Sequence, residues 1–512
     1  MMLSNLTRLA SCLALASPPL LANGDTLFEL APQNPHSEHL MGDSIAISDG
    51  IAIISAPSTL ATLGAAYLFD VHSGERLRRL QGADSVGDDM FGLSVAIDGN
   101  LAVVGAPWED EVGNKAGAAY VFDVSTGDQL AKLLPAPGPQ GWFGSAVAIQ
   151  GDTILVGAPE EASPVFIFDA GTFQQSGVLL PTDSANTGFG RQVALDGDRV
   201  VVSSHSRLSA SSVNGSAYLF ELSTRTELAK VMAPAPYDNA YFGWSVAIHD
   251  SIVVVGSVLD FEAAIGSPSS LGALYQYEAA DGSFVRKILP PGNVSTWWLG
   301  SSLSVDGSTI AAGSATFTGS SLNERTFTYR ATTGALIEVF QSQVPNEAFG
   351  TGVAMEGTKL IVGSPRHSGA AADSGVARVW CTSCPGSNYC QPSPNSTGAP
   401  AQISACGSLG LAQQDFSLVA RSMPEHQPYL FFSGTNQVQL PFGDGIQCAG
   451  GSITRLHAPR SVTAGTASVL VDLTQAGITA PASWNFQCWY RDPAAGGSGF
   501  NLSDGLKADF TP

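Results

Sequence analysis

Along the first three quarters of the chain, short apolar runs of strand length alternate with turn residues in a pattern that keeps returning. Its clearest copy is Phe91 to Pro107, FGLSVAIDGNLAVVGAP. This predicts a strand from Ser94 to Asp98, a tight turn at Asp98-Gly99-Asn100, and a second strand from Leu101 to Val104, closed by Gly105-Ala106-Pro107. An apolar run broken by Asp-Gly is a strong short-range hairpin signal. The frame returns from Phe143-Gly144, Phe189-Gly190, Phe242-Gly243, Leu299-Gly300 and Phe349-Gly350, with a degraded first copy at Met41-Gly42. In all seven copies thirteen residues separate the first glycine from the second landmark, whereas the spacing between copies runs from 46 to 57. A constant hairpin with elastic connectors is what a repeated structural unit produces.

Each full repeat predicts two more strands. A third reads like Ala118 to Val124 (AAYVFDV) or Ser216 to Leu222 (SAYLFEL), and a fourth like Gln129 to Pro137 (QLAKLLPAP) or Glu227 to Pro236 (ELAKVMAPAP). The seventh copy has a third strand at Gly375 to Trp380 but no fourth, while Thr26 to Pro32 (TLFELAP) matches the fourth-strand pattern and precedes the first repeat. One strand is missing at the end and one is spare at the start, so residues 26–32 are expected to complete the last unit and remove its free edge.

Through these seven aligned copies, residues 26–380 resemble the FG-GAP family, the repeats that build the seven-bladed propeller of integrin alpha subunits and many bacterial surface proteins. The resemblance implies an all-β fold: a seven-bladed β-propeller of four-stranded blades closed by the N-terminal strand. In such a meander the one-to-two and three-to-four turns share one face of the disc, and the other connections share the opposite face. The first face receives tight turns such as Asp98-Gly99 and Thr126-Gly127. The second receives long irregular loops, among them Trp108 to Lys115, His205 to Asn214, Pro234 to Tyr241, Gly292 to Trp298 and Arg366 to Asp373. Variable loops on a rigid scaffold are where binding resides.

Beyond Cys381 the repeats stop. Residues 381–400 read as a Cys/Pro-rich linker and 401–512 as a smaller β-domain, sandwich-like, with strand-length apolar runs such as Tyr429 to Phe432, Ala467 to Leu473 and Trp484 to Tyr490. This tail resembles a C-terminal module of secreted bacterial proteins, through Asn395 to Gly398, Pro441 to Gly445 and Trp489 to Pro493. Residues 1–22 read as a secretory signal, with Arg8 ahead of an apolar run from Leu9 to Leu21, too short to span a membrane. Leu9-Ala10-Ser11-Cys12 matches a lipid-anchoring box, but its apolar segment follows Cys12 instead of preceding it. No transmembrane segment is expected.

Composition sharpens this picture. The net charge is −21, and only 7 of the 44 acidic residues lie beyond residue 380, so the repeat domain carries the acidity and nucleic acid is excluded as a partner. Six of the seven cysteines fall in the last 132 residues: Cys381, Cys384, Cys390, Cys406, Cys448 and Cys488. An even set in an exported domain reads as disulfides, with 15 pairings open.

Candidate chemistry is sparse. FG-GAP repeats of the integrin type often carry a D-x-D-x-D-G calcium loop, and no copy here has one. The nearest approach to a metal site is Glu109, Asp110, Glu111 and Asn114, which could offer oxygens to calcium without the required spacing; no cofactor is expected. Ser94, Ser245 and Ser302 recur at one repeat position with no Gly-x-Ser-x-Gly elbow, which points to packing or turn hydrogen bonds over nucleophilic catalysis. His36 and His39 stand in the order H-S-E-H and do not form a zinc motif. Trp142, Tyr241 and Trp298 each precede the Phe-Gly position, and Trp108, Tyr237 and Trp297 lie in second-face loops with His205 and Arg366. These aromatics could stack on sugar rings or anchor a protein, or pack between blades. The expectation is a secreted or cell-surface protein, non-enzymatic and monomeric, that binds or adheres to an extracellular protein or glycan. The alternatives are a propeller enzyme acting on extracellular polysaccharide and a structural envelope component.

Overall fold

The computed structural model describes residues 26–32, 40–57, 63–135, 141–159, 164–183, 188–205, 215–234, 240–260, 272–291, 298–315, 324–342, 344–368, 373–382, 385–463 and 465–512. Within them lie seven four-stranded antiparallel sheets. The second blade is representative: Ser94–Asp98, Leu101–Ala106, Ala118–Asp123 and Gln129–Leu133, in sequence order across the sheet. The first strands of successive blades pack on one another, and the last, Val353–Glu356, packs back on the first, Ile45–Ser48, so the sheets form a closed ring.

Position in the blade explains the residue pattern. Second and third strands are covered on both faces by neighbouring blades and are buried along their length, as in Leu101–Ala106 and Ala118–Asp123; strands enclosed in this way read as continuous apolar runs. Fourth strands lie at the rim and are largely exposed or half-buried, with Arg76–Leu80 burying only its final leucine. The phenylalanine of Phe-Gly sits between blades, meeting third-strand rings edge-on. Phe91 lies 5.3 Å from Tyr120 and 6.1 Å from Phe122, and Phe143, Phe189 and Phe242 repeat this geometry.

The expected closure is present. Thr26–Leu30 pairs antiparallel with Val376–Cys381 and supplies the fourth strand of blade seven. Most blades also join the next at the first-face turns. The side chain ending one first strand accepts a backbone N–H from the next turn: Ser48 from Gly99 (3.2 Å), Asp98 from Gly151 (2.6 Å), Gln150 from Gly197 (2.6 Å) and Asp306 from Gly357. Glu356 accepts from both Asp49 and Gly50 at 2.8 Å, carrying the series from blade seven to blade one.

Beyond the ring, a three-stranded sheet (Gln402–Cys406, Ser417–Arg421, Ala467–Leu470) faces a larger sheet built on Ala482–Arg491, Pro428–Gly434 and Gly505–Phe510. Phe416, Leu418, Phe431, Phe486, Tyr490 and Phe510 fill the space between them, giving the expected sandwich core. The boundary differs from the sequence reading. Ser387–Tyr389, inside the expected linker, pairs with Gly505–Phe510, and Asn395 is buried, its Nδ2 donating to the Ser422 carbonyl at 2.6 Å. An edge strand needs only backbone partners, so it carries no apolar signal for composition to reveal.

The cysteines also differ from the expected set of six bridged residues. Cys381 pairs with Cys406 and Cys390 with Cys448, while Cys488 is a free, buried thiol. It alternates with Phe486 and Tyr490 on the core side of its strand, and burial pushes its thiol pKa up. Cys384 lies outside the described residues. No helix among the described residues is long and apolar enough to cross a membrane.

Candidate functional site

The second face is built where first strands begin and second strands end. The residue before Phe-Gly has a left-handed backbone in every blade: Leu40, Met90, Trp142, Gly188, Tyr241, Trp298 and Ala348, with φ from 46° to 89°. This strain recurs whether the residue is alanine or tryptophan, so it belongs to the blade frame. What the side chain adds is local. Around blades four to six the rings gather: Trp244 lies 5.3 Å from His205, 6.0 Å from Tyr241 and 5.9 Å from Trp298, centroid to centroid. His205 is buried, and Tyr241, Trp244 and Trp298 are half-buried. The result is an aromatic arc at the inner rim.

Trp244 escaped the sequence reading although a signal exists. Its repeat position, directly after Phe-Gly, holds Asp43, Leu93, Ser145, Arg191, Ser301 and Thr351 in the other blades. A tryptophan there does not serve the frame. Tyr237 and Trp297, assigned by the sequence to second-face loops, lie outside the described residues. Trp142 stands apart in blade three, its backbone N–H donating to the Lys115 carbonyl at 2.9 Å. Trp108 is 38 % exposed and capped by the Lys115 ammonium, 3.8 Å from the ring centre.

The acidic loop behaves differently from a solvated one. Glu109 and Glu111 converge with Asp84, yet the Lys132 ammonium sits among them, at 2.9 Å from Glu109 and 2.6 Å from both Glu111 and Asp84. Burial opposes the charge on Lys132, but its three carboxylate partners hold its pKa well above the ordinary lysine value. A metal ion there would have to displace this internal cation. Asp110 and Asn114 are exposed and outside the cluster.

The same arrangement recurs in other blades, which marks it as structural. Tyr120 donates to Asp84 at 3.0 Å and Tyr218 to Asp183 at 2.7 Å; Tyr275 donates to Asp260, with Lys230 and Lys287 as the paired cations. Blades three and six carry Phe166 opposite Val178 and Phe327 opposite Val339 at the corresponding cross-strand position. Blade one has Tyr67 opposite Arg79, so tyrosine comes with a cationic partner, and phenylalanine with valine.

Blade seven reverses the polarity. Arg378 holds Glu347 through both guanidinium nitrogens, at 2.6 and 3.1 Å, and reaches Glu29 of the N-terminal strand at 3.2 Å. His367 Nδ1 lies 2.7 Å from Glu347, which is 1 % exposed. Burial alone would push the Glu347 carboxyl up, but Arg378 holds it below the usual range. Arg366, half-buried, donates its backbone N–H to the Glu347 carbonyl at 3.1 Å. Neighbouring Glu324 shifts the other way: burial raises it to about 6, against the opposing hydrogen bonds from the Phe349 and Ala348 amides.

The recurrent serines are inter-blade ties. Ser94, Ser245 and Ser302 donate to the carbonyls of Gly144, Gly300 and Gly350 in the following blades, at 2.8, 2.6 and 2.8 Å.

Comparison with known proteins bears on the repeat region. A model described as "FG-GAP repeat" matches residues 76–122, 128–168, 173–220 and 226–277. No curated protein matches the chain in sequence. Among solved structures, the computationally designed Ika8 protein aligns with a TM-score of 0.43 and 16 % identity, covering 69 % of this chain and 99 % of that one. Each matched repeat starts at or just before the fourth strand of one blade and ends in the third strand of the next, which is the offset that leaves a spare strand at the N-terminus. The matched segments within residues 76–277 are therefore four FG-GAP repeats, and the seven-bladed ring that contains them is an FG-GAP repeat β-propeller.

Proposed function

We propose that this chain is an exported, non-enzymatic binding or adhesion protein that meets its extracellular ligand, a protein or a glycan, with the second face of the propeller. The observation that carries this reading is the aromatic arc of Tyr241, Trp244, Trp298 and His205, set where the blade frame itself asks for no tryptophan. Rigid aromatics offer large contact area at small entropic cost, which suits recognition of a sugar face or an apolar anchor. The acidity of the chain favours neutral or cationic ligands over anionic ones. The non-enzymatic reading draws on the second-face charges: Glu347, His367 and Arg378 are spent on one another, as are Lys132 and its three carboxylates. Two disulfides fit an oxidising compartment.

A glycan array and a surface-protein pull-down with the full-length chain test the proposal. Saturable binding that weakens about tenfold or more in Trp244→Ala, with unchanged circular dichroism, is expected for a central aromatic contact. Absence of any saturable ligand would favour a purely structural envelope role.

A further inference from the structure

We infer that the C-terminal domain is a latch that holds the propeller ring shut, docked across the one place where a blade lacks a covalent turn. In blades one to six the third and fourth strands are joined by a short turn, such as Ser125-Thr126-Gly127 between Ala118–Asp123 and Gln129–Leu133. Blade seven has none, because its third strand ends at Cys381 and its fourth is Thr26–Leu30 from the other end of the chain. Only the backbone ladder, apolar packing and the Arg378–Glu29 pair join the two strands directly.

The C-terminal domain grips both sides of that break. On one side, Cys406 is bonded to Cys381, and its Sγ lies 3.6 Å from the Thr358 hydroxyl in the first-face turn of blade seven. On the other side, the Ser417 hydroxyl lies 3.3 Å from His72 Nδ1 in the turn of blade one. Between these grips, Cys406 and Val419 enter the hydrophobic cluster that contains Leu27 and Leu30 of the N-terminal strand, Val71 of blade one and Val379 of blade seven. Among the described residues, the clusters between the other blades contain nothing beyond Trp380. An intrachain domain that touches both edges of an opening adds its docking energy to the closed state alone, and so shifts the equilibrium against opening. Both grips lie at first-face turns.

Hydrogen exchange of the full-length protein, followed by mass spectrometry, tests the latch with two variants, Cys381→Ala/Cys406→Ala and His72→Ala/Ser417→Ala. In each, amides of residues 26–30 and 376–381 should exchange about tenfold faster than in the parent, a local opening effect, while blades three to five (146–288) keep parental rates. Unchanged exchange at the break in both variants would overturn the inference, as would equal acceleration in every blade. If the cysteine variant fails to fold, the His72/Ser417 variant, which removes one side-chain hydrogen bond between the domains, decides the matter alone.

Discussion

The two glycines thirteen residues apart meet across blades. A Cβ on Gly105 would overlap the carbonyl oxygen of Gly144, and Gly157, Gly256, Gly313 and Gly363 face Gly190, Gly300, Gly350 and Gly42 in the same way. Gly99, by contrast, has open space around it and needs glycine only for its φ of 52°. Chemical denaturation should separate these causes: Gly99→Ala is expected to cost about 1 kcal/mol, and Gly105→Ala clearly more, since backbone must move. Equal losses would disprove the close-approach account. Glu324 gives a pH test. Its folded pKa, about 6, lies above its ordinary value of 4.5, so the carboxyl favours the folded state at low pH and that contribution is lost as pH rises from 4.5 through 6. Glu324→Gln keeps an acceptor for the Phe349 amide. It should raise the melting temperature at pH 7.5 and leave it unchanged near pH 4; a gain of equal size at both would exclude charge as the cause.

At the scale of the element, the N-terminal strand does in blade seven what a turn-linked strand does elsewhere. Glu29 takes the position of Lys132 and Lys230, opposite Arg378 where the other blades have Tyr120 and Tyr218. Phe28 lies under Gly74 in the turn of blade one, just as Ala229 of blade four lies under Gly282. Arg378→Ala would leave Glu347 buried without its main partner, and losses of about 3–5 kcal/mol accompany such breaks. Urea titration of Arg378→Ala should show a fall of that order, larger than for Glu29→Ala, whose carboxylate is half-exposed. The reverse ranking would mean that the strand, not the buried pair, carries the energy. Ser94→Ala removes one inter-blade hydrogen bond and should cost about 1 kcal/mol, read from the same titration.

On the scale of the molecule, the ring is a strongly acidic body, with nearly all of the −21 charge on the propeller. Self-repulsion of this kind is screened by salt over about 10 Å at 0.1 M. Raising sodium chloride from about 0.05 to 0.5 M should therefore increase the melting temperature. A decrease would mean that pairs such as Lys132 with its carboxylates outweigh the net repulsion.

How much was legible follows from the range of the interactions. The hairpins, the seven copies, the displaced strand at Thr26–Leu30 and the structural role of the recurring serines could all be read from the chain, because each is set by local patterning and then repeated, so that one blade explains the next. Tertiary structure alone decided what happens once. The convergence of Trp244 with His205 and Trp298, the Arg378–Glu347–His367 cluster, the choice of Cys406 for Cys381, and the solitary Cys488 join residues brought together from separate loops and strands. No period connects such partners. Their pairing is fixed by where closure of the ring and docking of the second domain bring distant segments into contact, and that is a property of the folded whole.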